Sequence, residues 1–242
     1  MDRKDFIKTI TLSALAMGIV PQLGFKNADL SYEELIGKGN PTLHGTGFQI
    51  RKDAFDAFTK MQNAALKDNI SIEVVSSYRN FDHQNRIWER KYKENTQQGL
   101  SPEEAIQKII EYSTIPGTSR HHWGTDMDLI DGNVVRPKSV LSPGHFEDNG
   151  NFVKFKKWMD EHCRDFGFYL VYTNKPERKG FKYEPWHYSY KPLSCNYLQA
   201  YKKLNLKDIL NKESLMGHEY FTDSFLEHYH SENILDINPE LL

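Results

Sequence analysis

Apolar positions recur along the chain at two periods. Over residues 52–66, Phe55, Phe58, Met61 and Ala65 fall three or four apart, the spacing of one helical face, and Asp68-Asn69 marks the end of that helix. Residues 71–76 alternate and are rich in Ile and Val, which predicts a strand. Tyr78-Arg79-Asn80 reads as a turn, followed by a helix over 82–92 with Asp82 as its N-cap. Ser101-Pro102-Glu103-Glu104 puts proline at the first helical position and acids in the first turn, so a helix is expected from there to Tyr112. Residues 126–130, 168–172 and 187–190 read as strands. A helix is expected over 151–166, with Phe152, Phe155, Trp158 and Met159 on one face and Gly167 as its cap. Beyond Pro192 the chain turns helical and polar. Helices and strands do not strictly alternate, so the expected class is α+β with antiparallel strands.

Composition narrows the function. The 242 residues hold one large domain or a domain with extensions, and 38% hydrophobic content suits a globular core. A net charge of -2 with no basic patch argues against nucleic acid. The 13 tyrosines and 14 phenylalanines read first as core and second as the lining of a peptide or sugar cleft. Cys163 and Cys195 form no CxxC, which excludes cysteine-based zinc or thioredoxin chemistry and leaves a single disulfide open. At the N-terminus, Arg3 and Lys4 precede an apolar run over residues 10–20. A bilayer span takes ~20 residues, so this run reads as a signal-peptide core and not as a stable transmembrane span. Residues 2–8 resemble a twin-arginine export signal, with Lys4 where the second arginine belongs. An amphipathic helix packed on the domain is the alternative.

The chemistry gathers in two stretches. Ser119-Arg120-His121-His122-Trp123-Gly124-Thr125-Asp126-Met127-Asp128 packs two histidines and two carboxylates around a glycine. Glu184-Pro185-Trp186-His187 adds a carboxylate and a histidine. Three N/O ligands and one open position are what a catalytic zinc site requires. His121, Asp128 and His187 are the expected ligands and Glu184 the base. His121 and Asp128 are separated by an odd number of residues, which in a straight strand sends side chains to opposite faces. The chain must therefore bend between them, and Gly124 is where it can. Glu184 and His187 have the same parity problem, met by a loop that delivers Glu184 and a strand that starts at His187. His122 is an alternative ligand. Asp126 either supports the metal ligands or faces water.

The pattern Ser119-x-His121-x-x-Gly124-x-Asp126-x-Asp128 resembles the SxHxxGxAxD motif of the VanY-type D-alanyl-D-alanine carboxypeptidases. These are zinc metallopeptidases of the group that includes lysostaphin-type peptidases and the hedgehog domain. Glu184-Pro185-Trp186-His187 matches their ExWH motif, and Ser77-Tyr78-Arg79 resembles their SGYR segment. The chain departs from the family pattern at Asp126, where alanine is usual, at Ser77 in place of glycine, and at Ser189, where many relatives carry arginine. The resemblance implies Zn2+, a small central antiparallel sheet flanked by helices with the zinc on the sheet, and peptidoglycan stem peptides as substrate. It also implies that Arg79 grips the substrate carboxylate, with Ser119, Tyr78 and Gln84 as further substrate contacts. The expected organisation is an export segment over 1–26, a catalytic domain over 27–192 and a helical extension over 193–242, in a protein of the periplasm or cell envelope. The leading expectation is removal of a terminal D-amino acid. Endopeptidase action at the same site and a non-catalytic zinc-containing wall-binding module are the alternatives.

Overall fold

The structure, a computed structural model, describes residues 30–242, so the expected export segment lies outside the described residues. In chain order the main elements are α1 (Tyr32–Leu35), α2 (Lys52–Lys67), β1 (Ile72–Ser76), α3 (Phe81–Gln97), α4 (Pro102–Ile109), β2 (Asp126–Asp131), α5 (Val153–His162), β3 (Phe168–Leu170), β4 (His187–Tyr190), α6 (Lys191–Tyr201), α7 (Leu206–Asn211) and α8 (Asp223–His228). The strands form one antiparallel sheet in the order β1-β2-β4-β3. The protein is α+β, as expected.

Alternation along the central strands decides what faces what. Met127, Leu129 and Tyr188 join an apolar cluster with Ala54, Phe58 and Met61 of α2 and Phe155, Trp158 and Met159 of α5. Asp126, Asp128, His187 and Ser189 occupy the alternate positions and point the other way. A second cluster holds Trp88 of α3, Ile106 and Ile109 of α4, Trp123, Tyr172 and Phe181. Residues 193–242 contribute Tyr197, Leu198, Tyr201, Ile209, Leu210, Leu226 and Tyr229 to that same cluster. The polar face of the sheet thus lies between two apolar masses.

Several element ends differ from expectation for local reasons. Asn80, not Asp82, caps α3: its side chain accepts from the His83 amide at 2.9 Å. That helix runs on to Gln97, carried by Trp88 on its buried side and by the exposed pairs Arg90–Glu94 and Lys93–Glu89 on the other. α4 starts where expected, with Ser101 and Glu104 forming a capping box, but it stops at Ile109. α5 ends at His162 and tightens into a 3₁₀ turn over Cys163–Phe166, closed by Gly167 at φ 80°. Cys163 and Cys195 are both free. Among the described residues no helix is long and apolar enough to cross a membrane.

Candidate active site

The site begins with strand register. Asp128 of β2 and His187 of β4 are direct cross-strand partners, so their side chains stand side by side on one face of the sheet. His121 reaches them from outside the sheet. It sits in a 3₁₀ turn, Arg120–Trp123, which Gly124 closes in the left-handed region at φ 69°. This is the bend that the spacing demanded, and glycine takes that conformation without strain. Glu184 arrives on the loop before β4, its amide bonded to the Tyr172 carbonyl at 3.2 Å.

The three expected ligands offer atoms that all lie within 4.8 Å of one another, and all three are buried. His121 Nδ1 bonds the Ser77 carbonyl at 2.8 Å, which leaves Nε2 directed at Asp128, 3.6 Å from Oδ1. His187 turns Nδ1 to the same centre, 3.9 Å from that oxygen. Asp128 Oδ1 is buried without a hydrogen-bond partner among the described residues. A buried carboxylate oxygen left unpaired is costly, and a cation between these atoms removes the cost. Two imidazole nitrogens and one carboxylate oxygen suit zinc and leave it a further position. The residues therefore fit the metal. Glu184 Oε2 stands 2.9 Å from His187 Nδ1, at the edge of the group.

His122 does not join the centre. Its Nδ1 donates to the Arg79 carbonyl at 2.6 Å and its Nε2 accepts from the Gly117 amide at 3.1 Å, so both nitrogens are spent on backbone. Burial pushes its pKa down to about 3, which keeps it neutral for these two bonds. Asp126 does not face water. It is fully buried and bonds His187 Nε2 at 3.0 Å.

Electrostatics differ between the two histidines of this group. Burial and the nearby Arg79 push the His121 pKa down to about 4. Burial also opposes charge on His187, but its hydrogen bonds to Asp126 and Glu184 outweigh that and raise it to about 9. Burial, with the Asp128 charge adding to it, lifts the Glu184 carboxyl above the usual carboxylate range even though His187 and Arg79 pull it down.

The centre opens into a cleft of about 350 Å³. Arg79 and Ser119 line it. Arg79 follows β1, and its amide bonds the His121 carbonyl at 3.2 Å, so the arginine segment and the histidine turn are stitched together. Among the described residues Arg79 Nε has no hydrogen-bond partner. Asp128 and Glu184 supply the nearest opposing charges, without which burial would depress the guanidinium further.

Two expected substrate contacts lie elsewhere. Tyr78 is half-buried in the field of Arg51 and Glu34, and does not line the cleft. Neighbours in an extended segment point opposite ways, so turning Arg79 in turns Tyr78 out. Gln84 is wholly buried behind the wall, where Nε2 donates to the Thr114 carbonyl at 2.9 Å. Ser113 and Thr114, beside it, do line the cleft. Sequence reading missed Lys91, Tyr112 and Tyr172. Tyr172 packs edge-on against His187 with ring centroids 5.2 Å apart. Lys91 carried a signal: it lies on the same helical face as Ile87, one turn on.

The class that this sheet and donor set define is that of metal-dependent peptidases. Residues 47–193 match the family model described as VanY, D-alanyl-D-alanine carboxypeptidase. An uncharacterised protein of Haemophilus influenzae is 33% identical over 123 residues, which cover 50% of this chain and 93% of that one. A D-alanyl-D-alanine carboxypeptidase of Enterococcus faecalis is 30% identical over 152 residues, covering 62% of this chain. The match spans only 52% of the Enterococcus protein. Among solved structures, VanYB in complex with D-alanine-D-alanine has a TM-score of 0.52 at 26% identity, covering 73% of this chain and 92% of that one. The chain belongs to the VanY family of D-alanyl-D-alanine carboxypeptidases.

Proposed function

We propose that the protein is a zinc carboxypeptidase that removes the terminal D-amino acid, D-alanine, from peptidoglycan stem peptides. The observation that carries this reading is an arginine in the cleft that holds the metal-competent triad and Glu184, its Nε buried without a hydrogen-bond partner among the described residues. The D-alanine-D-alanine bound to VanYB is in keeping with it.

His121 Nε2, Asp128 Oδ1 and His187 Nδ1 are the atoms that would hold zinc. Zinc supplies, when bound, a Lewis acid that polarises the scissile carbonyl and acidifies water. Arg79 binds the substrate's C-terminal carboxylate through paired N–H donors, a geometry lysine cannot copy. Ser119 and the aromatic walls formed by Tyr112, Trp186 and Phe181 hold the peptide against the floor. Glu184 takes the proton of the attacking water and passes it to the leaving amine. Burial raises its pKa, which makes it a stronger base than a solvated carboxylate. The proposed site of action is outside the cytoplasmic membrane, where this substrate lies, with residues 1–26 as the export signal. Fractionation of cells expressing the full chain, with and without those residues, tests the location.

The substrate reading is tested with three peptides: a stem peptide with a free C-terminal acid, its C-terminal amide, and a cross-linked dimer. The free acid should lose its terminal residue and the amide should not. Arg79→Lys should lower kcat/KM roughly ten- to a hundredfold, the worth of one charge-assisted contact of about 1.5–3 kcal/mol, at unchanged zinc content. Equal cleavage of acid and amide would remove Arg79 as the anchor. Preferential cleavage of the dimer would then favour endopeptidase action.

A further inference from the structure

Behind His187 lies a buried charged group that the proposed reaction does not use. Asp126 is fully buried, yet it accepts from four donors: Arg120 Nε at 2.8 Å, Thr125 Oγ1 at 2.8 Å, Ser189 Oγ at 2.6 Å and His187 Nε2 at 3.0 Å. Arg120 is itself buried, donates through Nη2 to Ser189 Oγ at 2.8 Å, and lies over the Trp123 ring at 4.8 Å. Strand register places Asp126 opposite Ser189, next to the Asp128–His187 pair on the same face. Asp126 and Ser189 are two of the positions at which the chain departs from the family pattern.

A buried ion pair of this kind is seldom kept for stability, because well-packed apolar residues of the same volume do as well or better. The bond to His187 gives it another use. It binds the ring through Nε2–H and so turns Nδ1 toward Asp128 and Glu184, where Nδ1 would exchange its proton for a metal. The two histidines are supported differently: His121 leans on the neutral Ser77 carbonyl, His187 on a full carboxylate. A carboxylate behind a ligand imidazole both orients it and strengthens it as a donor.

We propose that Asp126, held by Arg120 and Ser189, is a positioning residue that presents His187 Nδ1 to the metal and sets the affinity of the centre. Asp126 touches neither metal nor substrate in this role. Arg120 neutralises it, and Ser189 takes a bond from one and gives a bond to the other. The proposal rests on His187 being a metal ligand.

The test is zinc affinity, measured by competition with a chromophoric chelator, together with the thermal stability of the metal-free full-length protein. Asp126→Ala should bind zinc about 10- to 100-fold more weakly than the parent. It should also melt lower, because Arg120 is left buried and unpaired. Adding Arg120→Met to Asp126→Ala removes that stranded charge. The double variant should regain thermal stability and still bind zinc weakly. Parent-like zinc affinity in the stable double variant would overturn the proposal and reduce the cluster to charge balance. His187→Ala separates the two readings. If it binds zinc as the parent does, the ligand set itself is wrong, and the positioning role falls with it.

Discussion

Glu184 is the residue on which the distinction between an enzyme and a binding module turns. A module that only holds zinc has no need of a carboxylate at the edge of the ligand set, 2.9 Å from His187 Nδ1. Because Glu184 is assigned as base and not as ligand, Glu184→Ala should retain zinc while turnover of a stem peptide falls at least ~100-fold, the lower range for a positioned acid–base group. Zinc content and rate measured on one preparation check both halves. Parent-like turnover would place the base elsewhere. At this scale the sequence was readable where chemistry restricts the choice: few side chains bind zinc, and six such residues fall within two short motifs. It was not readable where a side chain's direction is set by distant contacts. Tyr78 neighbours Arg79 and yet turns to Arg51 and Glu34, while Gln84 serves the wall from behind. Tyr172 reaches His187 only because β3 and β4 pair.

Among the elements, the loop after α1 carries more of the site than its mixed sequence announced. Gly37 has φ 82°, and a Cβ there would run into the His122 ring. His122 in turn holds the Arg79 carbonyl, and the Gly37 carbonyl accepts from the first amide of α3 at 2.8 Å. Loop, histidine and arginine segment thus form one chain of contacts. Gly37→Ala combines a left-handed backbone with a collision, which should cost about 1–3 kcal/mol of stability. A urea melt measures that loss. kcat/KM should fall with it as Arg79 shifts, while zinc content holds, since no ligand touches Gly37. An unchanged melt would mean the loop yields freely and does not position Arg79. The strand starting at His187 was legible because a short alternating run follows a proline. The far end of α3 was not, because its last turns are nearly all polar and their helicity rests on side-chain pairs and on Trp88.

On the scale of the whole molecule, residues 193–242 bear directly on the site. Tyr201 Oη donates to the Gly117 carbonyl at 2.9 Å, and Tyr229 Oη accepts from the Ile115 amide at 3.0 Å. Tyr229 also meets Thr118 Oγ1 at 2.8 Å. These bonds grip the segment that leads into Ser119 and His121. The helicity beyond Pro192 was legible in the sequence, but the stretch read as polar. The buried face of Tyr197, Leu198 and Tyr201 was not legible, because what it covers is assembled from α3, α4 and the 171–181 region. Truncation after residue 192 exposes that face and releases the segment, so the shortened protein should show no cooperative thermal transition and should bind zinc poorly. A truncated protein that melts cooperatively and keeps its zinc would show that the first 192 residues fold alone. The central claim, a zinc centre built from His121, Asp128 and His187, is tested most directly by metal content per chain, measured by mass spectrometry on the parent and on His121→Ala and His187→Ala. The parent should carry about one zinc per chain and each variant should lose most of it, because a site reduced to two protein ligands falls below the three that catalytic zinc uses. Full zinc retention in both variants would contradict the account.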